Sequence, residues 1–379
     1  MDDTVDTELY TGPELAEAPA RSRAVWPAAC GPRASLPPAL RPSPQEWRFR
    51  RCRYRGIEAD SGQPLAVDFV GVGRNTAYFI GHLFGTAATA GAVEGPADIR
   101  VVDYPLPLPR SRGLLSIATP AWATQAVDLG PSWPDYLGRL GRKRLKELRR
   151  LLRKRRVSAA LSAGDRALDD FYHRLYVPFA TTRFADTAAV LPHAAFMRRF
   201  AGAAVLTMRS GGDALAANLL TRTGADTLVV AKTGFDDAAA DEPGTADLLD
   251  YVSLLLARVL HCRRVDLGAS HAHLDDGTLR YKAKWHAELQ AQPRLKRSAR
   301  IDVLRDTEAC RGFLRRNRFI QTGPDGFFVR TLRHTAAFSD ADRRLAARLK
   351  LLACVAGEPR PTNPLAADYY TSPPLSGGD

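Results

Sequence analysis

Cysteine is scarce and unpatterned. Five occur in 379 residues (Cys30, Cys52, Cys262, Cys310, Cys354), an odd number with no Cys-x-x-Cys pair. That spacing supports neither a disulfide framework nor a cysteine zinc site. Long apolar runs are also lacking: the nearest, Ala77 to Val93, contains His82 and is interrupted by glycines, short of the ~18 uninterrupted residues a bilayer requires. Stable membrane insertion is not expected. The first residues, Met1-Asp2-Asp3-Thr4-Val5-Asp6, are acidic and lack the basic and apolar regions of a signal peptide, so the expected location is cytoplasmic. No Gly-x-Ser-x-Gly elbow or P-loop occurs, which removes serine-hydrolase and NTPase readings. Gly71-Val72-Gly73-Arg74-Asn75-Thr76 begins like a dinucleotide fingerprint, but Thr76 stands in place of the last glycine; it reads as a turn.

What is present is ordinary core material and an excess of positive charge. Hydrophobic residues make up 45% and charged ones 25%, enough for a real core, and the length suggests two or three domains. Lys and Arg total 54 against 41 Asp and Glu, a net +13, which favours anionic partners. Residues 1–45, rich in Pro and Ala, read as a disordered arm, and 358–379 as a loose tail. A strand-rich lobe is expected over 46–130. It opens with Trp47 to Arg55, where arginines interleaved with aromatics form either a nucleic-acid surface or the solvated face of an edge strand. An apolar helix or strand-helix pair is expected over Thr76–Gly91.

A basic helix follows within 131–158. Ser132 is its N-cap and Asp135 takes the capping-box position; leucines recur at helical spacing from Leu137 to Leu152. Its other faces are almost wholly cationic, with Arg142, Lys143, Lys146, Arg149, Arg150 and Arg153, and Glu147 alone offers a partner. Repulsion between like charges at i,i+4 would be relieved by an anionic ligand. Phosphate or nucleic acid fits; a solvated face above one core stripe is the competing account.

From Asp165 the expected order is helix (Arg166–Pro178), helix (His193–Phe200), strand (Ala204–Arg209), Gly211-Gly212 turn, strand (Ala214–Thr221), strand (Thr227–Thr233), helix (Ala246–Leu260) and strand (Arg263–Leu267), a mixed α/β unit. The strand ends at Gly268-Ala269-Ser270. After a loop, Gly277 to Trp285 reads as a second segment presenting Tyr281 beside Lys282. Such a strand end can stabilise developing negative charge; a β-hairpin with solvated lysines is the alternative. His271, His273, Asp275 and Asp276 carry metal-ligand atoms, but no third histidine sits at a metalloenzyme spacing. The expectation is a polar loop and no metal.

Together, Leu175 to Phe179 with Arg183, the hairpin at Gly211-Gly212, Phe235-Asp236-Asp237, Pro243-Gly244, Asp266 to Ser270 and Tyr281 to Trp285 resemble the CelD/BcsL-type proteins of the GNAT (acyl-CoA N-acyltransferase) fold and the related Fem-type (FemAB) aminoacyltransferases. The resemblance spans Trp133 to Ala287. It implies an α/β (α+β) GNAT-like fold with its transferase lobe at 159–357. By the double architecture usual in Fem-type enzymes, it also implies a degenerate first lobe at 46–130. It implies Lys282 and Tyr281 at an acyl-transfer centre, with Tyr176, Arg183, Asp186, Phe235, Asp236, Gly268, Ser270, Lys284 and Trp285 contacting substrate. Asp236 would otherwise cap its loop. A standard pyrophosphate loop is absent: Asp241-Glu242-Pro243-Gly244 puts acids where phosphate prefers bases. Three functions stay open. One is N-acyl transfer from acyl-CoA or an acyl carrier protein to an amine on a small molecule or peptide. The second is transfer from aminoacyl-tRNA, and the third is non-catalytic RNA binding. The segments after the site, a helix near Cys310–Asn317, a strand at Phe327–Val329 and a helix over Asp340–Val355, are expected to complete the transferase lobe.

Overall fold

The computed structural model describes residues 7–11, 49–72, 89–90, 95–104, 113–120, 122–184, 190–290, 298–322, 326–329 and 339–351. In chain order the strands are β1 (Thr7–Thr11), β2 (Phe49–Ile57), β3 (Pro64–Val72), β4 (Thr89–Ala90), β5 (Ile99–Tyr104), β6 (Leu115–Pro120) and β7 (Ala123–Asp128). Helices α1 (Trp133–Leu140) and α2 (Arg142–Arg155), strand β8 (Val157–Ala163), helix α3 (Asp165–Asp170), a π-helical segment (Phe171–Tyr176), α4 (Val177–Phe184) and α5 (His193–Phe200) follow. Then come β9 (Ala204–Ser210), β10 (Asp213–Thr223), β11 (Thr227–Phe235), α6 (Asp237–Ala240), α7 (Thr245–Val259), β12 (Arg264–Ser270), α8 (Gly277–Ala283) and β13 (Ala287–Gln290). The last are β14 (Ser298–Val303), α9 (Glu308–Arg316), β15 (Ile320–Thr322), β16 (Phe327–Val329) and α10 (Asp340–Arg348).

The fold is mixed α/β, in two compact units that interleave in sequence: Met1–Leu40 with Ala126–Gly268, and Arg41–Gln125 with Ala269–Asp379. In the first unit the strands run β1-β8-β9-β10-β11-β12. All neighbours are antiparallel except β11 and β12. Gly211 and Gly212 close the β9–β10 hairpin with φ of 61° and 97°, the positive pair that a two-residue turn matched to strand twist requires. Helix α7 then crosses from β11 to parallel β12 and buries Leu248, Leu249, Val252, Leu255 and Leu256. A second core joins Leu168, Phe171, Tyr176, Phe196 and Phe200 to Val205 and Leu219 of the sheet. This order is the one the family resemblance implies.

Three local expectations change here. The basic run is two helices, not one: Gly141 at φ 82° ends α1 and precedes α2, a left-handed conformation that glycine adopts without strain. The Arg166–Pro178 helix is α3, the π-helical segment and α4. Within the arm expected to be disordered, Thr7–Thr11 is a strand paired with β8.

In the second unit six strands run β4-β2-β3-β5-β14-β6, with β3 and β5 the parallel pair. Leu65, Val67, Phe69, Ile99, Val101, Ile117 and Ile301 share one core with Phe313 and Leu314 of α9. Strand β14 and helix α9 therefore belong with the 46–130 strands, where the linear reading had the Cys310 helix completing the transferase lobe. Arg53 of β2 pairs with Asp68 at 2.5 Å, so this member of the arginine–aromatic stretch is engaged within its sheet. A smaller core groups Leu274, Leu279, Ala283, Ile320 and Leu345. Helix α10 ends at Arg348, earlier than the expected Val355. Gly71 and Val72 lie in β3, not in a turn; Gly73 to Ala88, and with them most of the expected Thr76–Gly91 helix, lie outside the described residues.

Candidate functional site

The segment from Gly277 to Trp285, a strand in the β-hairpin alternative, is helix α8 for its first seven residues. Asp276 caps it, its carboxylate accepting from the Leu279 N–H at 2.7 Å. The residues α8 buries are Leu279, Lys282 and Ala283, spaced i, i+3, i+4 as on one helical face. Lys282 is 8% exposed, which rules out the solvated-lysine hairpin. Its Nζ donates to the carbonyl of Ala269 at 2.8 Å, so α8 is tied to the end of β12. Trp285 is fully buried, while Lys284 is exposed with its ammonium 5.6 Å over the Tyr281 ring. Ser270, also buried, donates to Gln125 Oε1 at 3.0 Å, and Gln125 Nε2 donates to the Leu279 carbonyl at 3.2 Å. These polar contacts fix the start of α8 to the strand ends around it.

The intervening loop is held by internal contacts. His271 lies against Trp122 with ring centroids 4.3 Å apart. His273 is buried and its Nδ1 accepts from the Asp275 N–H at 3.1 Å. Asp275 pairs with Arg280 and Arg318, and Asp342 joins the same two guanidiniums at 3.1 and 2.8 Å. Burial alone would raise the Asp342 carboxyl; hydrogen bonds from Ser339 and Arg318 take it below the ordinary aspartate value.

The remaining candidates lie in the first unit. Tyr176 ends the π-helical segment; it is buried, stacked on Phe171 (centroids 5.8 Å) and Phe196 (5.7 Å), with the Lys232 ammonium 5.2 Å over its ring. Phe235, at the end of β11, is buried 4.8 Å from Phe179. Gly234 between them is an obligatory glycine: a Cβ would sit 2.6 Å from the Leu175 carbonyl carbon and 2.7 Å from the Tyr176 nitrogen. Tyr176 and Phe235 are thus brought together beside Lys232. Asp236 is exposed and caps α6, accepting from the Ala238 N–H at 3.2 Å; its expected capping role is the one seen. Arg183 is exposed in the last turn of α4, and Asp186 lies outside the described residues. Gly268 has φ 77° and donates its N–H to Asp266 Oδ1 at 2.7 Å. The parallel ladder of β11 and β12 spans Thr227–Val229 and Arg264–Asp266, while β11 runs on to Phe235.

Helix α2 uses its two faces differently. Leu148 and Leu152 are buried. Arg144 pairs with Asp247 at 3.2 Å, and Arg155 with Glu242 at 2.9 Å, with the Pro243 carbonyl at 2.6 Å and with Thr245 Oγ1 at 2.8 Å. Glu242 before α7 and Asp247 in its first turn are therefore bound by arginines. Gly244, at φ 89°, lets Leu151 approach: a Cβ would lie 2.8 Å from its Cδ1. Arg142, Lys143, Lys146, Arg149, Arg150 and Arg153 are all exposed, and Arg150 is paired with Glu147.

Two features escaped the sequence reading. A cavity of about 350 Å³ is lined by Arg166, Asp170, Arg174, Thr207, Arg209 and Asp213, among others; the 166, 170, 174 spacing, one helical face, is the signal that could have found it. Inside the same unit Asn218, fully buried, donates to Ser253 Oγ at 2.9 Å and accepts from Thr233 Oγ1 at 2.7 Å. That network stitches β10, β11 and α7 together.

No protein-family model and no curated protein matches the chain. Among solved structures, the C-terminal domain of a putative lysylphosphatidylglycerol synthetase from Agrobacterium fabrum is 14% identical, covering 70% of this chain and 85% of its own, at a TM-score of 0.33. A tandem GNAT protein from the clavulanic acid biosynthesis pathway is 13% identical (80% and 99% covered, TM-score 0.30). A GCN5-related N-acetyltransferase from Kribbella flavida is 12% identical (86% and 82% covered, TM-score 0.28).

Proposed function

We propose that this chain is an acyltransferase that forms an amide between a carried acyl group and an amine on a small molecule or peptide. The observation that carries this reading is the early end of the β11–β12 ladder after Val229 and Asp266, while β11 continues to Phe235. The backbone of β11 beyond that point can receive an extended, amide-bearing segment of the donor by strand-like hydrogen bonding. Tyr176, Phe235 and Lys232 border it. In the reaction the amine nitrogen attacks the acyl carbonyl, whose oxygen becomes an oxyanion stabilised by fixed N–H donors; the carrier's sulfur or oxygen leaves and takes a proton. Lys282 acts here as a positioning residue, holding the Ala269 carbonyl at the end of β12.

The donor is acyl-CoA, an acyl carrier protein or aminoacyl-tRNA. A specific observation favours the last. The turn into α7, where the resemblance implies a pyrophosphate cradle, carries Asp241 and Glu242 with Arg155 already bound to Glu242. The solvent face of α2, by contrast, presents six cations suited to a nucleic-acid backbone. Incubation with an amine panel and either acyl-CoA or charged tRNA, with and without ribonuclease, separates the donors. Ribonuclease-sensitive transfer from charged tRNA supports the second arm, and ribonuclease-insensitive transfer from acyl-CoA the first. Tight RNA binding with no turnover of any donor would instead mark a non-catalytic RNA-binding protein.

A further inference from the structure

Asp169, His173 and His193 bring one carboxylate oxygen and two imidazole nitrogens within 4.8 Å of one another. They lie apart in sequence. Asp169 lies in the last turn of α3, His173 stands in the π-helical segment, and His193 opens α5. His193 Nε2 is 2.8 Å and His173 Nε2 3.7 Å from the same Asp169 oxygen. Metal–nitrogen and metal–oxygen bonds of about 2.0–2.2 Å in a tetrahedron set ligand atoms some 3.3–3.6 Å apart, so small side-chain rotations bring these three around one ion.

The scaffold beneath them is closely packed. Tyr172 packs at 5.0 Å from both imidazoles and donates its hydroxyl to the Leu191 carbonyl at 2.7 Å, which ties down the approach to α5. Phe171, Tyr172 and Phe196 belong to the buried core below. A π-helical insertion shifts the register of the side chains that follow it and often marks a functional position; here the segment holds His173 4.8 Å from the His193 ring. Two imidazoles and one carboxylate form a borderline set that prefers zinc or its neighbours to calcium or magnesium. Three protein ligands leave the fourth position open to water or a ligand.

We propose that Asp169, His173 and His193 form a zinc site with one exchangeable position, linking α3 and the π-helical segment to α5. This assignment is independent of the acyltransferase reading. The test uses the full chain, freed of metal by chelation, and titrates Zn²⁺ against a competing chelator, with Co²⁺ as the spectroscopic probe. Saturable binding of one ion is expected, with a Co²⁺ visible band typical of a four-coordinate nitrogen and oxygen site. His173→Ala and His193→Ala should each weaken Zn²⁺ binding by about tenfold or more, since even partners one step removed from the metal are worth about 10–100-fold. Both histidine side chains are well exposed, 57% and 41%, so these replacements remove little packing; Asp169→Asn is the third variant. Absence of saturable binding to the native chain, or unchanged affinity in the His173→Ala/His193→Ala double variant, would overturn the site. The Co²⁺ spectrum of the unsubstituted chain decides the matter even if a variant fails to fold: an octahedral, weakly absorbing spectrum contradicts the proposal.

Discussion

A single methyl group at position 234 meets backbone rather than side chain, because the Leu175 carbonyl carbon and Tyr176 nitrogen lie 2.6 and 2.7 Å from where it would sit. Backbone cannot rotate away as a side chain can. Gly234→Ala should therefore lower stability by roughly 1–3 kcal/mol or more, the range for forced overpacking. Denaturant unfolding measures this, and an unchanged midpoint would show that β11 and the π-helical segment pack more loosely than these distances imply. Glu58 makes a second residue-scale prediction. It is fully buried, and burial alone would raise its carboxyl. Hydrogen bonds from Ser61 and Asp60 and the Arg316 guanidinium instead hold it below the ordinary glutamate value. A lowered native pKa contributes stability that is present above the unfolded value of about 4.3 and lost as pH falls through the native one. Stability should decline below about pH 4.3, and Glu58→Gln should be destabilised at neutral pH with a flatter acid limb, read from urea midpoints at about pH 3 to 7. Lys282 shows where reading residues stops. Its setting on a helix was not legible, because a lysine on the buried face of α8 interrupts the apolar period that would have announced one. Leu279, Tyr281, Ala283 and Trp285 alternate instead, and alternation reads as strand.

Elements with strong local signals were legible to within three residues at each end. His193–Phe200, the three antiparallel strands β9 to β11 and the crossover α7–β12 were all expected from periodicity and glycine turns. Breaks inside continuous patterns were not. Across Gly141 the leucine spacing widens only to five residues, from Leu140 to Leu145, a small break inside a near-helical pattern, and nothing in Phe171-Tyr172-His173-Arg174-Leu175-Tyr176 distinguishes a π-helical turn from an α-helical one without its tertiary neighbours. Helix α2 was legible as basic, but not in how it divides its charges: Arg144 and Arg155 are bound to the turn and first residues of α7, while Arg149 and Arg153 face solvent. If that face meets phosphate, RNA affinity should fall linearly with salt on logarithmic axes. Arg149→Glu/Arg153→Glu should weaken binding uniformly across sequences and reduce the slope by about one for each phosphate no longer neutralised. A slope unchanged by that substitution would place RNA elsewhere or nowhere.

At the scale of the whole molecule, the chain interleaves where composition suggested a linear series. Strand β14 sits between β5 and β6, its Ile301 opposite both Val101 and Ile117, and Asp302 accepts from Ser116 Oγ at 2.9 Å across a separation of 186 residues. No window of local sequence carries such a pairing. Its selection depends on the buried face completed by Phe313 and Leu314, visible only once the sheet exists. Composition shifts mark the basic helices well, yet cannot show that the segment after Gly268 joins a different unit. The order of β9 to β12, by contrast, was legible, and it is on that order and the short β11–β12 ladder that the acyltransferase reading stands. The most direct test is mass-spectrometric detection of an amide product when the purified chain is given a panel of amines with acyl-CoA, an acyl carrier protein or charged tRNA. The account predicts product with at least one donor, dependent on native chain and strongly reduced by Lys282→Ala; no product from any donor, or product unaffected by that substitution, would contradict it.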